Sequence, residues 1–194
     1  IISIAITTAM LPTVSKLFIE GEVAAAKQYF GQAFEYTMLF IIPSTLVFFF
    51  YSELIVSTLF QRGEFTDVSV MNTSEALKIF ALGLPAYAVM PLFTEYFILN
   101  KKIKIFIFSN FSISIISMFI MWTLFNNVGF IGILWGLISF YWLNFLFIVS
   151  YLTFSKFTFL NSKVFYSIIK LTFSAYLMIV CINIIRTLRV KNKV

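Results

Sequence analysis

Long apolar runs, separated by short polar segments, organise the whole chain. The longest stretch without a charged residue, 105–155, far exceeds the roughly 20 residues that one helix needs to cross a bilayer. An Asn-Asn-Val-Gly sequence at 126–129 lies near its middle and is a turn signal. The pattern therefore predicts two membrane-spanning helices, about 104–125 and 130–154, joined by a tight hairpin.

The remaining apolar runs extend the same pattern along the chain. The predicted helices are about 1–15, 35–51, 76–99, 104–125, 130–154 and 166–185. We expect the first of these to be the end of a helix that starts upstream, and the chain to be a fragment of a longer protein. The segment 52–75 is the one substantial polar connection, and we predict a loop there, in which 59–66 suits a short amphipathic helix at the membrane surface.

Composition places these helices in a membrane and not in a soluble core. The chain of 194 residues is 61% hydrophobic and 11% charged, whereas an ordinary globular chain is about 25% charged. So few polar groups do not cover the surface of a soluble fold of this size. The sequence therefore predicts an all-α, polytopic transmembrane helix bundle.

The charges are distributed unequally between the two ends of the predicted helices. The net charge is +6, and the loops on one side carry Lys16, Lys27, Lys101, Lys102, Lys104, Lys156 and Lys163. The opposite side carries Glu53, Arg62, Glu64 and Asp67. The positive-inside rule places the lysine loops in the cytoplasm. Because the basic residues lie between apolar runs, we expect no nucleic-acid partner.

The residue inventory argues against catalysis. The sequence contains no histidine, and its single cysteine, Cys181, lies within an apolar run, where a buried small side chain is the expected role. We find no nucleotide-binding loop, metal-ligand cluster or catalytic triad in the sequence. We therefore expect a protein that is not an enzyme and that has no cofactor and no metal.

Carboxylates and prolines within the apolar runs are the candidate functional residues. Glu35 lies at the mouth of one predicted span and Glu95 about one turn from the end of another. Each is either an interfacial carboxylate or a group that faces a polar cavity. Pro43, Pro85 and Pro91 kink their helices, either as fixed bends or as hinges.

Small and polar residues within the spans predict contacts between helices. Gly132 and Gly136 form a small-xxx-small pair, which permits close helix approach, and we favour a packing seam over a binding site. Asn144 lies in the middle of a span, where we expect its amide to hydrogen-bond a neighbouring helix.

Four short segments resemble motifs of one transporter family. The most specific is 59–66, Leu-Phe-Gln-Arg-Gly-Glu-Phe-Thr, which is similar to the family's LFqrGxFt signature. Residues 8–16, 42–44 and 81–86 resemble its LPxLS, LP(S/A) and GLPa segments, in the same order. The matching positions include Pro12, Pro43, Phe60, Arg62, Gly63, Phe65, Gly83 and Pro85. The first half of the chain thus resembles the MurJ (MviN) family of lipid II flippases.

This resemblance implies a fold and a function. The implied fold, in the multidrug/oligosaccharidyl-lipid/polysaccharide exporter superfamily, has two six-helix lobes around a central cavity and two further helices. The chain would form most of the second lobe, with 52–75 in the periplasm. The implied activity is translocation of the lipid-linked peptidoglycan precursor across the bacterial inner membrane by alternating access. The implied partners are that precursor, membrane lipids and the missing N-terminal lobe.

The chain departs from the family pattern at polar positions. Pro91 falls near a position where the family usually has Lys, and Glu35 near one where a basic residue is common. Residues 97–105 lack the Asp and Pro of the family's FYAxxDTxTP segment. The resemblance therefore adds no substrate-binding residue to the candidates Glu35 and Glu95. A flippase for another polysaccharide lipid, a drug exporter of the same superfamily, a non-transporting scaffold and an inactive remnant stay as alternatives.

Overall fold

The computed structural model describes residues 2–157 and 162–191. The regular secondary structure of these residues is helical. This confirms the all-α class. The helices are α1 (Ile2–Ile19), α2 (Val23–Phe50), α3 (Ser52–Phe60), α4 (Asp67–Ala88), α5 (Met90–Leu99), α6 (Ile103–Val128), α7 (Phe130–Phe154) and α8 (Ser162–Lys191). The segments long and apolar enough to cross a membrane are Val23–Phe50, Asp67–Leu99, Ile103–Val128 and Phe130–Phe154.

The bundle is built around α2 and a helical hairpin. α2 packs against α1, α4 and α8, while α6 and α7 form an antiparallel hairpin whose second helix also packs against α4. The main core lies where α2, α5 and α7 meet, and its fully buried side chains include Phe30, Phe93, Phe97, Ile148 and Leu152. A smaller cluster of Ile79, Leu134 and Ile138 joins α4 to α7.

The outer surface of α6 is apolar and exposed along its whole length. Its exposed side chains include Ile107, Phe108, Phe111, Ile115, Met118, Phe119 and Trp122. A continuous apolar surface of this kind is unfavourable in water, but it matches the hydrocarbon interior of a bilayer. The chain is therefore a multi-pass membrane protein.

The structure differs from the sequence-based boundaries at the ends of the helices. α2 begins at Val23 and not near 35, because the alanines at 24–26 continue the helix beyond the membrane-spanning part. Similarly, α8 runs from Ser162 to Lys191, beyond the predicted 166–185. Hydropathy marks the part of a helix that suits lipid, whereas the helix itself ends where the backbone is capped.

The segment 52–75 is mostly helical, in contrast to the predicted loop. α3 occupies its first nine residues, and α4 begins at Asp67. The amide of Ser69 donates to Thr66 Oγ1 at 3.4 Å, which caps the first turn of α4 and explains its early start. Only residues 61–66 connect the two helices.

The hairpin between α6 and α7 turns at one residue. α6 continues through Val128, and the side chain of Asn127 bonds back to the carbonyl of Thr123 at 2.8 Å. Gly129 alone breaks the helix, with φ of 67° and ψ of −140°, a conformation that favours glycine. The observed turn is therefore the single residue Gly129, which is narrower than the predicted turn at 126–129.

Candidate functional site

The long helical segment from Asp67 to Leu99 is broken near the middle of the bundle. α4 ends at Ala88 and α5 begins at Met90, with Val89 between them. Pro85 lies one turn before the break, and Pro91 occupies the first turn of α5, where a missing N–H is tolerated. The sequence predicts a kink in this segment, and the structure shows a break between two helices, α4 and α5.

The indole of Trp142 on α7 bonds the turn of α4 that precedes Pro85. Pro85 has no amide hydrogen to bond the carbonyl of Ala81, and its ring distorts the preceding turn. In lipid, neighbouring helices supply further hydrogen-bond partners near such prolines. Trp142 Nε1 donates to the carbonyl oxygen of Leu82 at 3.1 Å, one residue along that turn.

Two further contacts hold the same stretch of α4 against α7. A Cβ atom added at Gly83 would lie 3.2 Å from Cγ1 of Ile138, so the glycine permits a close approach of the two helices. One turn later, the rings of Tyr87 and Tyr141 meet edge to face with centroids 5.1 Å apart. The bend and α7 therefore form one packed unit, which we call the α4–α7 clamp (Leu82, Gly83 and Tyr87 with Ile138, Tyr141 and Trp142).

A cavity of about 350 Å³ lies beside the clamp, between α2, α4, α7 and α8. Its walls include Phe34, Met38, Ile42, Pro85, Trp142 and Phe145. They are almost wholly apolar, and the hydroxyl of Thr45 in the wall is buried without a hydrogen-bond partner among the described residues. Such a cavity suits a hydrocarbon chain or a moving side chain and not a charged head group.

The two candidate carboxylates lie apart from this cavity. Because α2 starts at Val23, Glu35 lies about three turns inside it, about 18 Å along the axis, and not at the mouth of a helix. Glu95 lies one turn before the end of α5 at Leu99. Both are half-buried, and neither has an ion pair or a hydrogen bond within the described part of the chain. Their role in substrate binding stays a prediction.

The glycine pair on α7 meets α6 at very short range. An added Cβ at Gly132 would lie 2.5 Å from the carbonyl oxygen of Leu124, and one at Gly136 would lie 2.8 Å from Cα of Met121. Both distances are shorter than real contacts, so the two backbones approach only because these side chains are absent. This geometry favours a packing seam over a binding site.

Asn144 bonds within its own helix and not across the bundle. Its Nδ2 donates to the carbonyl of Phe140 at 2.9 Å, while its Oδ1 is buried without a partner among the described residues. The expectation of a bond to a neighbouring helix is therefore corrected. The carbonyl one turn earlier is the nearest acceptor for an amide on a helix.

The signature segment 59–66 is a compact turn at the opposite end of the bundle from the lysines. Gly63 has φ of 56°, and the rings of Phe60 and Phe65 lie 6.2 Å apart on either side of it. Gln61 Nε2 donates to Asp67 Oδ1 at 2.6 Å, which fixes the turn to the start of α4. Arg62 is exposed.

The remaining motif prolines lie inside helices. Pro12 falls within α1 and Pro43 within α2. The structure thus places the family-like motifs inside helices and at one turn, and it does not bring them together into a polar binding pocket.

Comparison with known proteins decides the family. The family model described as "Lipid II flippase MurJ" matches residues 1–192, almost the whole chain. The chain belongs to the MurJ family. The resemblance found in the four motifs is therefore confirmed, and it extends into the second half of the chain, where the sequence analysis found no motif.

Curated MurJ relatives are similar over part of their length. A probable lipid II flippase MurJ of Rickettsia prowazekii is 32% identical over 104 residues, 54% of this chain and 20% of the relative. The protein of that name from Rhizobium meliloti is 28% identical over 145 residues, 74% of this chain and 27% of the relative. The lipid II flippase MurJ of Burkholderia cenocepacia is 25% identical over 104 residues. The matched region is thus about a fifth to a quarter of each relative.

Proposed function

We propose that this chain is the second lobe of a flippase that moves the lipid-linked peptidoglycan precursor, lipid II, across the bacterial inner membrane. The observation that carries this proposal is the discontinuous α4–α5 segment of a MurJ family member, held to α7 by the clamp. Discontinuous membrane helices are typical of transporters that work by alternating access. A first lobe, supplied as a separate chain or as another part of the protein, completes the central cavity.

The clamp gives the proposed lobe a rigid wall. Rocking of one lobe against another requires that each moves largely as one body. Contacts at three positions of α4, Leu82, Gly83 and Tyr87, tie the turns around Pro85 to α7. We expect the bend to keep its shape while the lobes move.

The charges of this lobe indicate which part of lipid II it would contact and which part the first lobe would contact. The pyrophosphate of lipid II is anionic, and the half-buried carboxylates Glu35 and Glu95 repel such a group. We therefore assign the pyrophosphate contacts to the first lobe, and to this lobe the apolar wall of the pathway. In this arrangement the lysine-bearing loops face the cytoplasm, and the turn at 61–66 faces the periplasm.

Genetic complementation tests the proposal. The native flippase is depleted in a bacterium that requires it, and this chain is expressed alone or beside a first lobe from its own genome. We expect rescue only when both lobes are present. A Trp142→Phe chain, which lacks the bond to Leu82, should rescue growth less well than the unmodified chain, whereas Trp122→Phe on the exposed face of α6 should not differ from it.

The other outcomes point elsewhere. Rescue by the chain alone contradicts the two-lobe arrangement and indicates assembly of several copies. If neither condition rescues growth although the chain is inserted in the membrane, the lipid II assignment fails. In that case another polysaccharide lipid, a drug, a scaffolding role or an inactive remnant replaces it.

A further inference from the structure

We propose that lysines near the start of α2, around the start of α6 and just after the end of α7 form a binding surface for the phosphate groups of anionic phospholipids at one end of the bundle. We call this surface the lysine platform, and its residues are Lys27, Lys101, Lys102, Lys104 and Lys156. This inference does not depend on the proposed transport activity. It rests on the packing, backbone geometry and charge of the first turns of α2, the α5–α6 connection and residues 156–157 after α7.

Packed aromatic rings join the ends of α5 and α7 beneath the lysines. Phe157 lies 4.6 Å from Tyr96, and Phe97 lies 5.2 Å from Tyr151, measured between ring centroids. Tyr96 and Phe97 are adjacent, with rings 5.4 Å apart. The rings therefore form a continuous layer from the α7–α8 loop to the end of α5. Tyrosine, which supplies two of these rings, is enriched at the boundary between the hydrocarbon and the lipid head groups.

Two lysines from different parts of the chain, the start of α2 and the α5–α6 connection, lie on this layer. Lys27 Nζ is 5.6 Å from the centroid of Phe157 and donates to the carbonyl of Lys156. Lys102 Nζ is 5.8 Å from the centroid of Tyr151. Contacts between ammonium groups and ring faces hold a cation in place without neutralising it. The platform is thus assembled by tertiary packing and is not a run of neighbouring lysines alone.

Two of the lysines occupy a backbone conformation that favours glycine. Lys101 and Lys156 have φ of 55° and 57°, and each directly follows the cap of a helix. The bonds Lys102 N to Phe97 O, 2.8 Å, and Phe157 N to Leu152 O, 3.0 Å, close the same type of helix end at both sites. Glycine is the usual residue at this position because a side chain costs free energy there. Two lysines at such positions on one surface favour a role for their charge.

The cations of the platform lack carboxylate partners within the described chain. The ion pair found there on this side joins Lys16 to Glu20, and both lie outside the platform. The first turn of α6 contains no acidic residue, and its cap residue Lys102 makes no side-chain capping bond. Lysines at the positive end of a helix dipole repel it, whereas a bound phosphate is attracted both by the lysines and by the helix amides.

The position of the platform favours binding of a phospholipid phosphate over binding of a soluble phosphate. Lys101, Lys102, Lys104 and Lys156 are exposed, and they lie at the ends of apolar helices, where lipid head groups lie. Clusters of lysine next to membrane spans attract anionic lipids. We therefore assign the platform to the phosphodiester of an anionic phospholipid such as phosphatidylglycerol.

Binding of acyl-chain-labelled dioleoylphosphatidylglycerol to the full chain in detergent micelles, followed by fluorescence anisotropy, tests the platform. Equally labelled dioleoylphosphatidylcholine is the neutral probe. We expect a triple Lys→Gln variant at 101, 102 and 104 to lose about fivefold in affinity for each lysine removed, or about 1 kcal/mol each. A triple Lys→Arg variant at the same positions should keep binding, which separates charge from folding.

A second triple variant matches the change in net charge. Arg186→Gln, Arg189→Gln and Lys191→Gln remove three charges at the other end of α8 and should leave phosphatidylglycerol binding unchanged. Equal loss in both triple variants, or equal affinity for the two lipids, overturns the platform as a specific site. Full competition by inorganic phosphate overturns the assignment to a phospholipid and indicates a site for soluble phosphate.

Discussion

At the residue scale, the bond from Trp142 to Leu82 gives a direct prediction about stability. Trp142→Phe keeps an aromatic side chain but removes the indole N–H that donates to the carbonyl of Leu82. Hydrogen bonds between membrane helices contribute about 0.6–2 kcal/mol, so we expect a loss of about 1 kcal/mol in the free energy of unfolding, measured by SDS titration in mixed micelles. Trp122→Phe is the control, since that indole is exposed on α6. Equal losses in both variants would show that the bond is not stabilising.

The lysines with positive φ, Lys101 and Lys156, give a second prediction at this scale. Replacing Lys101 by Gly removes the side chain that φ of 55° disfavours, and we expect a gain of about 1 kcal/mol in the same unfolding measurement. Lys104→Gly, three residues later within the first turn of α6, should instead lose up to about 1 kcal/mol, because glycine is a poor helix former. Changes of the same sign at both positions would contradict the conformational explanation.

At the element scale, the seam between α6 and α7 depends on missing side chains. Gly132→Ala places a methyl group against the backbone of Leu124, which cannot move aside without separating the helices. We expect a loss of about 1–3 kcal/mol, typical of overpacking. Gly83→Ala meets a side chain, Cγ1 of Ile138 at 3.2 Å, and no backbone atom, so a smaller shift accommodates it and it should lose less. The SDS titration of both variants checks this order, and the reverse order would place the tighter seam at α4.

The same scale shows how far the sequence predicts the fold. The existence of the long helices follows from apolar runs, and the seam glycines follow from their spacing. The starts at Val23 and Asp67 do not, because helices continue beyond the bilayer under the control of alanines and the Thr66 cap. The sequence also did not predict the clamp, because Trp142 and Leu82 are 60 residues apart. A tryptophan in an apolar run does not indicate which carbonyl its indole will bond.

At the scale of the whole molecule, the arrangement of charge predicts the orientation in the membrane. Lys101, Lys102, Lys104 and Lys156 lie at one end of the bundle, while the turn at 61–66 and the start of α4 at the other end carry Arg62, Glu64 and Asp67. The positive-inside rule assigns the lysine end to the cytoplasm, because translocation of clustered cations near a span is unfavourable. The α2, α4–α5, α6 and α7 spans then alternate in direction, which places 61–66 and Gly129 on one side.

Labelling with a membrane-impermeant maleimide tests this orientation. In a chain carrying Cys181→Ser, which removes the single native cysteine, Arg62→Cys should react in intact spheroplasts, whereas Lys104→Cys should react only after permeabilisation. The Cys181→Ser chain without an added cysteine measures the background. The reverse pattern would place the lysines outside, and it would remove the charge argument for the cytoplasmic face. The lysine platform would then meet the outer leaflet, because its assignment rests on local geometry and not on the side of the membrane.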